Sequence, residues 1–196
     1  MELLLIRHAL PVRREVVDGP ADPELSAEGL QQANRLADYL AFEDIDSIYV
    51  SPLNRALQTA VPLAQRLGLR AVVVDGIAEY DRTSNEYVPI EELRATNDPR
   101  WQRLIAGEWE STEETPEQFK ARVVHAVETI IDRHQSSRVA VVCHGGVINH
   151  YLANILGITT TRGFFYPNYT SIHRVFASSN GVRSLMTLNE TAHLRD

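Results

Sequence analysis

Two stretches of the chain, Leu3-Leu4-Leu5-Ile6 and Val139-Ala140-Val141-Val142-Cys143, are apolar at every consecutive position. Successive side chains of a strand point to opposite faces, so strands written this way need apolar cover on both sides. Parallel sheets clothed by helices on both faces provide that cover, whereas a sheet with one wet face would show alternation.

The intervening text supplies the helices. Ser26 is placed to cap a helix whose apolar positions Leu30, Ala33, Leu36, Ala37 and Leu40 recur at helical spacing. Residues 45–50 (IDSIYV) read as a second strand, after which Ser51 and Pro52 read as helix cap and first helical residue. Leu53, Ala56, Leu57, Ala60 and Ala64 would form the buried stripe of that helix and Gly68 its stop. Residues 71–75 (AVVVD) predict a third strand. From 77 to 115 the pattern dissolves into polar, acidic and aromatic text, too long for a plain connection and expected to be a partly helical insertion. Thr115-Pro116-Glu117-Gln118 fits a capping box ahead of a helix carried by Phe119, Val123, Val127 and Ile130. Gly145 and Gly146 lead out of the Val139–Cys143 strand into a short apolar helix. Finally, residues 170–178 and 182–188 flank a Ser-Asn-Gly turn and predict an edge hairpin, which could offer an edge for pairing into a homodimer. The expectation is one α/β domain over residues 1–196, a three-layer α/β/α sandwich with a mostly parallel sheet and an insertion at about 77–115.

Composition bounds the partners. Hydrophobic residues at 44% and charged residues at 23% are those of an ordinary soluble globular chain. With a net charge of −7 and no lysine and arginine stripe, nothing favours nucleic acid or an anionic membrane. Cys143 is the only cysteine, which excludes an intramolecular disulfide and a multi-cysteine metal site and fits a reducing cytoplasm. The apolar run at residues 3–6 is far shorter than a signal-peptide core, and no run approaches the roughly 20 residues of a membrane span. A soluble, cytoplasmic protein with a small-molecule ligand is expected.

In open α/β sheets, ligands bind beyond the carboxyl ends of the strands. Arg7-His8, Ser51 to Arg55, Asp75 to Glu79 and Cys143 to Gly146 all follow strands and should converge. Each has an ordinary reading when taken alone: Arg7 as a surface ion-pair residue, Arg55 as a solvated helix arginine, His144 as a satisfied structural histidine, Glu79 as an exposed glutamate. Together, two guanidiniums, two imidazoles and two helix amino-termini at one edge describe an anion site. The two tryptophans, Trp101 and Trp109, read as packing of the insertion.

In this order the motifs resemble those of the histidine phosphatase superfamily (branch 1), the phosphoglycerate mutase-like fold. "RHAL" stands for the family's Arg-His-Gly, "SPLNRALQTA" for its Ser-Pro-x-x-Arg-Ala-x-Gln-Thr-Ala, "GIAEY" for its catalytic acid and "VCHGGVI" for its second histidine. The resemblance implies that His8 is a phosphoryl-accepting nucleophile, that Arg7, Arg55 and a cationic His144 clamp the equatorial oxygens, and that Glu79 is the acid, with Asp75 and Asp81 as alternatives. No metal or cofactor is implied. Two departures stand out: Ala9, then Leu10-Pro11, replace the usual turn after the nucleophile, and Arg14, beside Arg13, stands where the family often has a phosphate-touching asparagine. Arg13, Arg14 and Arg82 could grip an extra acidic group, and the backbone at Gly145 could approach the ligand.

Other chemistries lack their motifs. Cysteine phosphatase chemistry needs Cys-x5-Arg, and Asn149 occupies the arginine's place. No P-loop, Gly-x-Ser-x-Gly elbow or His-Glu-x-x-His pair is present. The resulting expectation is a metal-independent phosphomonoesterase of a small metabolite. The alternatives are a phosphoglycerate mutase, disfavoured by an acidic insertion without paired arginines, and a non-catalytic phosphate-binding module.

Overall fold

The structure is a computed structural model and describes residues 1–106, 108, 113–159 and 163–195. In chain order its elements are β1 (Glu2–Arg7), β2 (Arg14–Glu15), α1 (Ala27–Leu40), β3 (Ser47–Val50), α2 (Asn54–Leu67), β4 (Ala71–Val73), β5 (Glu86–Tyr87), α3 (Ile90–Ala95), α4 (Pro99–Ala106), α5 (Pro116–Arg133), β6 (Arg138–Cys143), α6 (Gly145–Leu156), β7 (Ile172–Ala177) and β8 (Arg183–Glu190). Six strands form one sheet in the order β4-β3-β6-β1-β7-β8. β1, β3, β4 and β6 are mutually parallel, and the antiparallel β7–β8 hairpin closes one edge. The chain moves outward from β1 through β3 to β4, then returns to β6, a reversal of the kind that opens a ligand crevice at the strand ends.

The doubly apolar strands meet their two covers. Leu3, Leu5, Val139, Val141 and Cys143 pack with Phe119, Val123 and Val127 of α5 and Val147, Ile148 and Tyr151 of α6. Leu4, Ile6, Ala140 and Val142 pack the other way, against Leu36, Ala37 and Leu40 of α1 and Ala56, Ala60 and Leu63 of α2. Each valine, leucine, isoleucine or phenylalanine among them stabilises the fold by about 1.5–3 kcal/mol when taken from water, so both faces are needed to hold the middle of the sheet.

Local cap chemistry explains several helix ends. Ser26 accepts a bond from the Gly29 N–H, Thr115 and Gln118 complete the capping box, and Gly68 ends α2 in the left-handed conformation. Three expectations need correction. The α2 helix begins at Asn54 with Leu53 as its cap, not at Pro52 with Ser51, and the Asn54 N–H is taken by the Asp22 carboxylate at 2.9 Å. Leu30 is 49% exposed, because α1 turns that side to solvent. The third strand stops at Val73, and Asp75 to Ile77 form a 3-10 turn.

The 77–115 segment carries β5, α3 and α4, and β5 pairs antiparallel with β2, tying it to the loop after His8. Trp101 lies half-buried on α4, whereas Trp109 lies outside the described residues. No helix among the described residues is long and apolar enough to cross a membrane.

Candidate functional site

The carboxyl ends of three parallel strands lie level. Arg7 is in register with Cys143 and Val50 with Val142; the His8 N–H then bonds the Cys143 carbonyl at 2.9 Å and the Ser51 N–H bonds the Val142 carbonyl at 3.0 Å. His8, Ser51 and His144 therefore leave the sheet side by side, with the two imidazole centroids 5.1 Å apart. Arg7, His8, Arg55, Glu79 and His144 are all buried, although three of the five, the two arginines and the glutamate, are of types almost never fully buried unless paired. Arg55 is the second residue of α2, nearer its amino-terminus than one full turn.

Each side chain is held by a specific contact. His8 Nδ1 lies 2.8 Å from the Ala9 carbonyl, which can only accept, so the neutral ring carries its proton on Nδ1 and keeps the lone pair of Nε2. Ala9 itself is anchored by its N–H to Thr59 Oγ1 at 2.9 Å and packs against Leu25 and Ala33, so the altered turn is absorbed by apolar contact. Arg7 donates from Nη1 to the Pro167 carbonyl at 2.6 Å, and its Cζ stands 3.9 Å from the Tyr169 ring centroid. Arg55 donates from Nη2 to Asp81 at 2.7 Å and lies over Tyr87. His144 Nε2 meets Ser51 Oγ at 2.6 Å. This leaves Arg7 Nε, Arg55 Nε and His144 Nδ1 buried without a hydrogen-bond partner among the described residues, three nitrogens free to meet a ligand.

The field of the site shapes its proton chemistry. Burial, followed by the charges of Arg55 and Arg7, pushes His8 well below the usual histidine range. Burial, Arg55, His8 and Arg7 do the same to His144, so the expected cationic His144 is disfavoured in the free site. Glu79 moves the other way: burial and the nearby Asp81 charge raise its carboxyl to about 7, against the opposing Gly146 N–H and Arg55. Its Oε2 accepts from the Gly146 N–H at 2.8 Å and its Oε1 from the Tyr80 N–H at 3.1 Å. The approach is so close that a Cβ on Gly146 would lie 2.3 Å from Oε1.

The remaining sequence candidates fall elsewhere. Asp75 is exposed, and Asp81 is committed to Arg55. Arg13 pairs with Glu15 and Glu92, Arg14 stands 3.7 Å from Glu24, and Arg82 stands 3.3 Å from Glu113. These three arginines serve surface carboxylates. Gly145 sits beside Arg7 Nε, and a Cβ there would meet nothing closer than Pro167 at 3.6 Å. Sequence reasoning missed Tyr87, Tyr166 and Tyr169 beneath the guanidiniums and the Thr59 anchor; the only signal was aromatic text in otherwise polar loops. Among the described residues, no group of three or more His, Cys, Asp or Glu is placed to hold a metal ion.

Comparison with known proteins gives the same arrangement a lineage. The profile of the histidine phosphatase superfamily (branch 1) matches residues 3–191. Phosphoserine phosphatase 1 of Hydrogenobacter thermophilus is 28% identical over 202 residues, covering 99% of this chain and 94% of that protein. Phosphoglycerate mutase-like protein 4 of Arabidopsis thaliana is 31% identical over 75% of this chain and 67% of its own length. The crystal structure of an Entamoeba histolytica phosphoserine phosphatase with 3-phosphoglyceric acid superposes with a TM-score of 0.78 at 26% identity, covering 99% of both chains.

Proposed function

The chain belongs to the histidine phosphatase superfamily, branch 1, and on that premise we propose that it hydrolyses a small phosphomonoester through a phosphohistidine on His8. The observation that carries the reading is the trio of buried nitrogens without a partner among the described residues, Arg7 Nε, Arg55 Nε and His144 Nδ1, around an imidazole whose free nitrogen is Nε2.

His8 Nε2 attacks phosphorus as the bond to the alcohol oxygen breaks, and Glu79, protonated near neutrality, gives its proton to the departing oxygen. The depressed basicity of His8 keeps the ring neutral and nucleophilic. Arg7 and Arg55 meet the charge spread over the equatorial oxygens. His144 contributes without a formal charge: Ser51 Oγ accepts from the Leu53 N–H and donates a hydrogen bond to the Nε2 lone pair of His144, so the neutral ring carries its hydrogen on Nδ1 and can donate it to a phosphate oxygen. In the second half-reaction the Glu79 carboxylate takes a proton from water, the oxygen attacks phosphorus, and the P–N bond breaks to return neutral His8 and phosphate. None of these steps calls for a metal ion.

Relatives named for phosphoserine, and structures of a phosphoserine phosphatase holding phosphoserine in one case and 3-phosphoglyceric acid in another, support a short phosphorylated acid as substrate. Phosphate release is measured across phosphoserine, phosphoglycerates, sugar phosphates and nucleotides for wild type and His8→Ala. Turnover that vanishes in the variant is expected; equal rates in the two would remove His8 from the chemistry. Incubation with 3-phosphoglycerate and a trace of 2,3-bisphosphoglycerate separates mutase from phosphatase, since isomer without free phosphate would replace water as the acceptor.

A further inference from the structure

We propose that Glu91, on α3 of the insertion, is a positioning residue for Arg7 and thereby sets how tightly the site holds phosphate; only the identity of the anion rests on the phosphatase reading. Arg7 Nη1 donates to the Tyr166 hydroxyl at 3.3 Å, and that hydroxyl donates in turn to Glu91 Oε1. The Tyr169 hydroxyl donates to Glu91 Oε2 at 2.8 Å, and the ring of Tyr169 is the one that lies 3.9 Å from Arg7 Cζ. Both routes from the guanidinium thus end on one carboxylate, 84 residues away in the chain from the strand that delivers Arg7.

The chemistry of the contact is directional. A carboxylate that accepts a hydrogen bond from a phenol enriches the ring in electron density, which strengthens its hold on a cation over its face. Two phenols tethered to the same carboxylate also fix the tilt of the guanidinium, and the other bond of Nη1, to the Pro167 carbonyl, comes from the same short loop. Held this way, Arg7 keeps Nε clear of every acceptor among the described residues and available to the anion. The insertion reaches the second guanidinium by another contact, through Tyr87 of β5 under Arg55, so one segment addresses both cations of the site.

Glu91 is exposed and borders an open cleft of about 320 Å³ shared with Gln32, Asn168, Tyr169 and Thr191, so its replacement leaves no hole in the core. Glu91→Ala, Glu91→Gln and Tyr169→Phe are compared with wild type by p-nitrophenyl phosphate kinetics and by calorimetric titration with inorganic phosphate. Because Arg7 grips the phosphoryl group before and during transfer, Glu91→Ala should raise KM and the phosphate Kd together by about tenfold with kcat within about twofold. Glu91→Gln, which keeps one acceptor and loses the charge, should fall between. Adding Glu91→Ala to Tyr169→Phe should cost less than Glu91→Ala does alone, since the two share a route. Unchanged KM and Kd, or a lowered kcat at constant KM as expected from a smaller folded fraction, would overturn the proposal. A wild type that binds phosphate but hydrolyses nothing defeats the phosphatase reading while the Kd shift still decides the role of Glu91; a wild type that does not bind phosphate defeats both.

Discussion

Replacing Gly146 with alanine isolates Glu79, the proposed general acid, from the rest of the site. A Cβ there would lie 2.3 Å from Glu79 Oε1 and 2.9 Å from its Cδ, where ordinary contact begins at 3.4 Å. The carboxyl must therefore retreat by about 1 Å and give up the 2.8 Å bond from the Gly146 N–H. Misplacement by about 1 Å costs on the order of 10²-fold, and complete loss of a general acid about 10²–10⁴-fold. The obstacle is the far end of a flexible side chain, and alanine favours a helix by up to about 1 kcal/mol, so the fold should survive with little change in melting temperature. Gly145→Ala, one residue earlier, meets nothing nearer than 3.6 Å and should stay within about threefold of wild type. The assay compares an alkyl phosphate with p-nitrophenyl phosphate, whose leaving group needs no proton. Gly146→Ala should lose about 10²-fold in kcat/KM on the alkyl ester and much less on the aryl ester. Equal activity of Gly146→Ala and wild type on the alkyl ester, or an equal loss in Gly145→Ala, would refute the assignment of Glu79.

The raised carboxyl of Glu79 predicts that kcat/KM for alkyl phosphates falls as pH rises through about 7, and that Glu79→Gln loses both the rate and this limb. Since folded Glu79 holds its proton to higher pH than the unfolded chain, whose value is 4.5, its contribution to stability declines as pH rises between 4.5 and about 7. Glu79→Gln should thus raise the melting temperature more at pH 8 than at pH 5. His8 and His144 act in the opposite sense: their depressed basicity stabilises the fold above 6.5 and that contribution is lost as pH falls below it, which acid melting curves of His8→Ala and wild type would resolve. Cys143 is fully buried, and burial pushes its thiol up, so Cys143→Ser should keep turnover within a few-fold and the native thiol should resist alkylation. Asp22→Ala removes the acceptor at the start of α2 and should cost about 0.5–2 kcal/mol by denaturant unfolding.

Features that depend on neighbours within a few residues were legible in the sequence. The caps at Ser26 and Thr115 reach three residues ahead, and the unbroken apolar run from Leu3 to Ile6 states its need for two covers in its own letters. The order of strand ends likewise marked Arg7, His8, Arg55 and His144 before any coordinates. Ser51 was misread because its hydroxyl serves His144, 93 residues away, while the opening turn of α2 takes its carboxylate from Asp22. The choice among Asp75, Glu79 and Asp81 depended on burial: one is exposed, one is paired with Arg55, and one is enclosed against Gly146. Nor could the letters say that Arg13, Arg14 and Arg82 would find glutamates, since an arginine carries the same charge whether it faces a phosphate or a neighbouring carboxylate. Periodicity and local hydrogen bonding determined the layers and the edge where chemistry gathers. Which charge is buried, which is screened and what lies beneath each guanidinium are properties of distant segments in contact, and only the tertiary structure decided them.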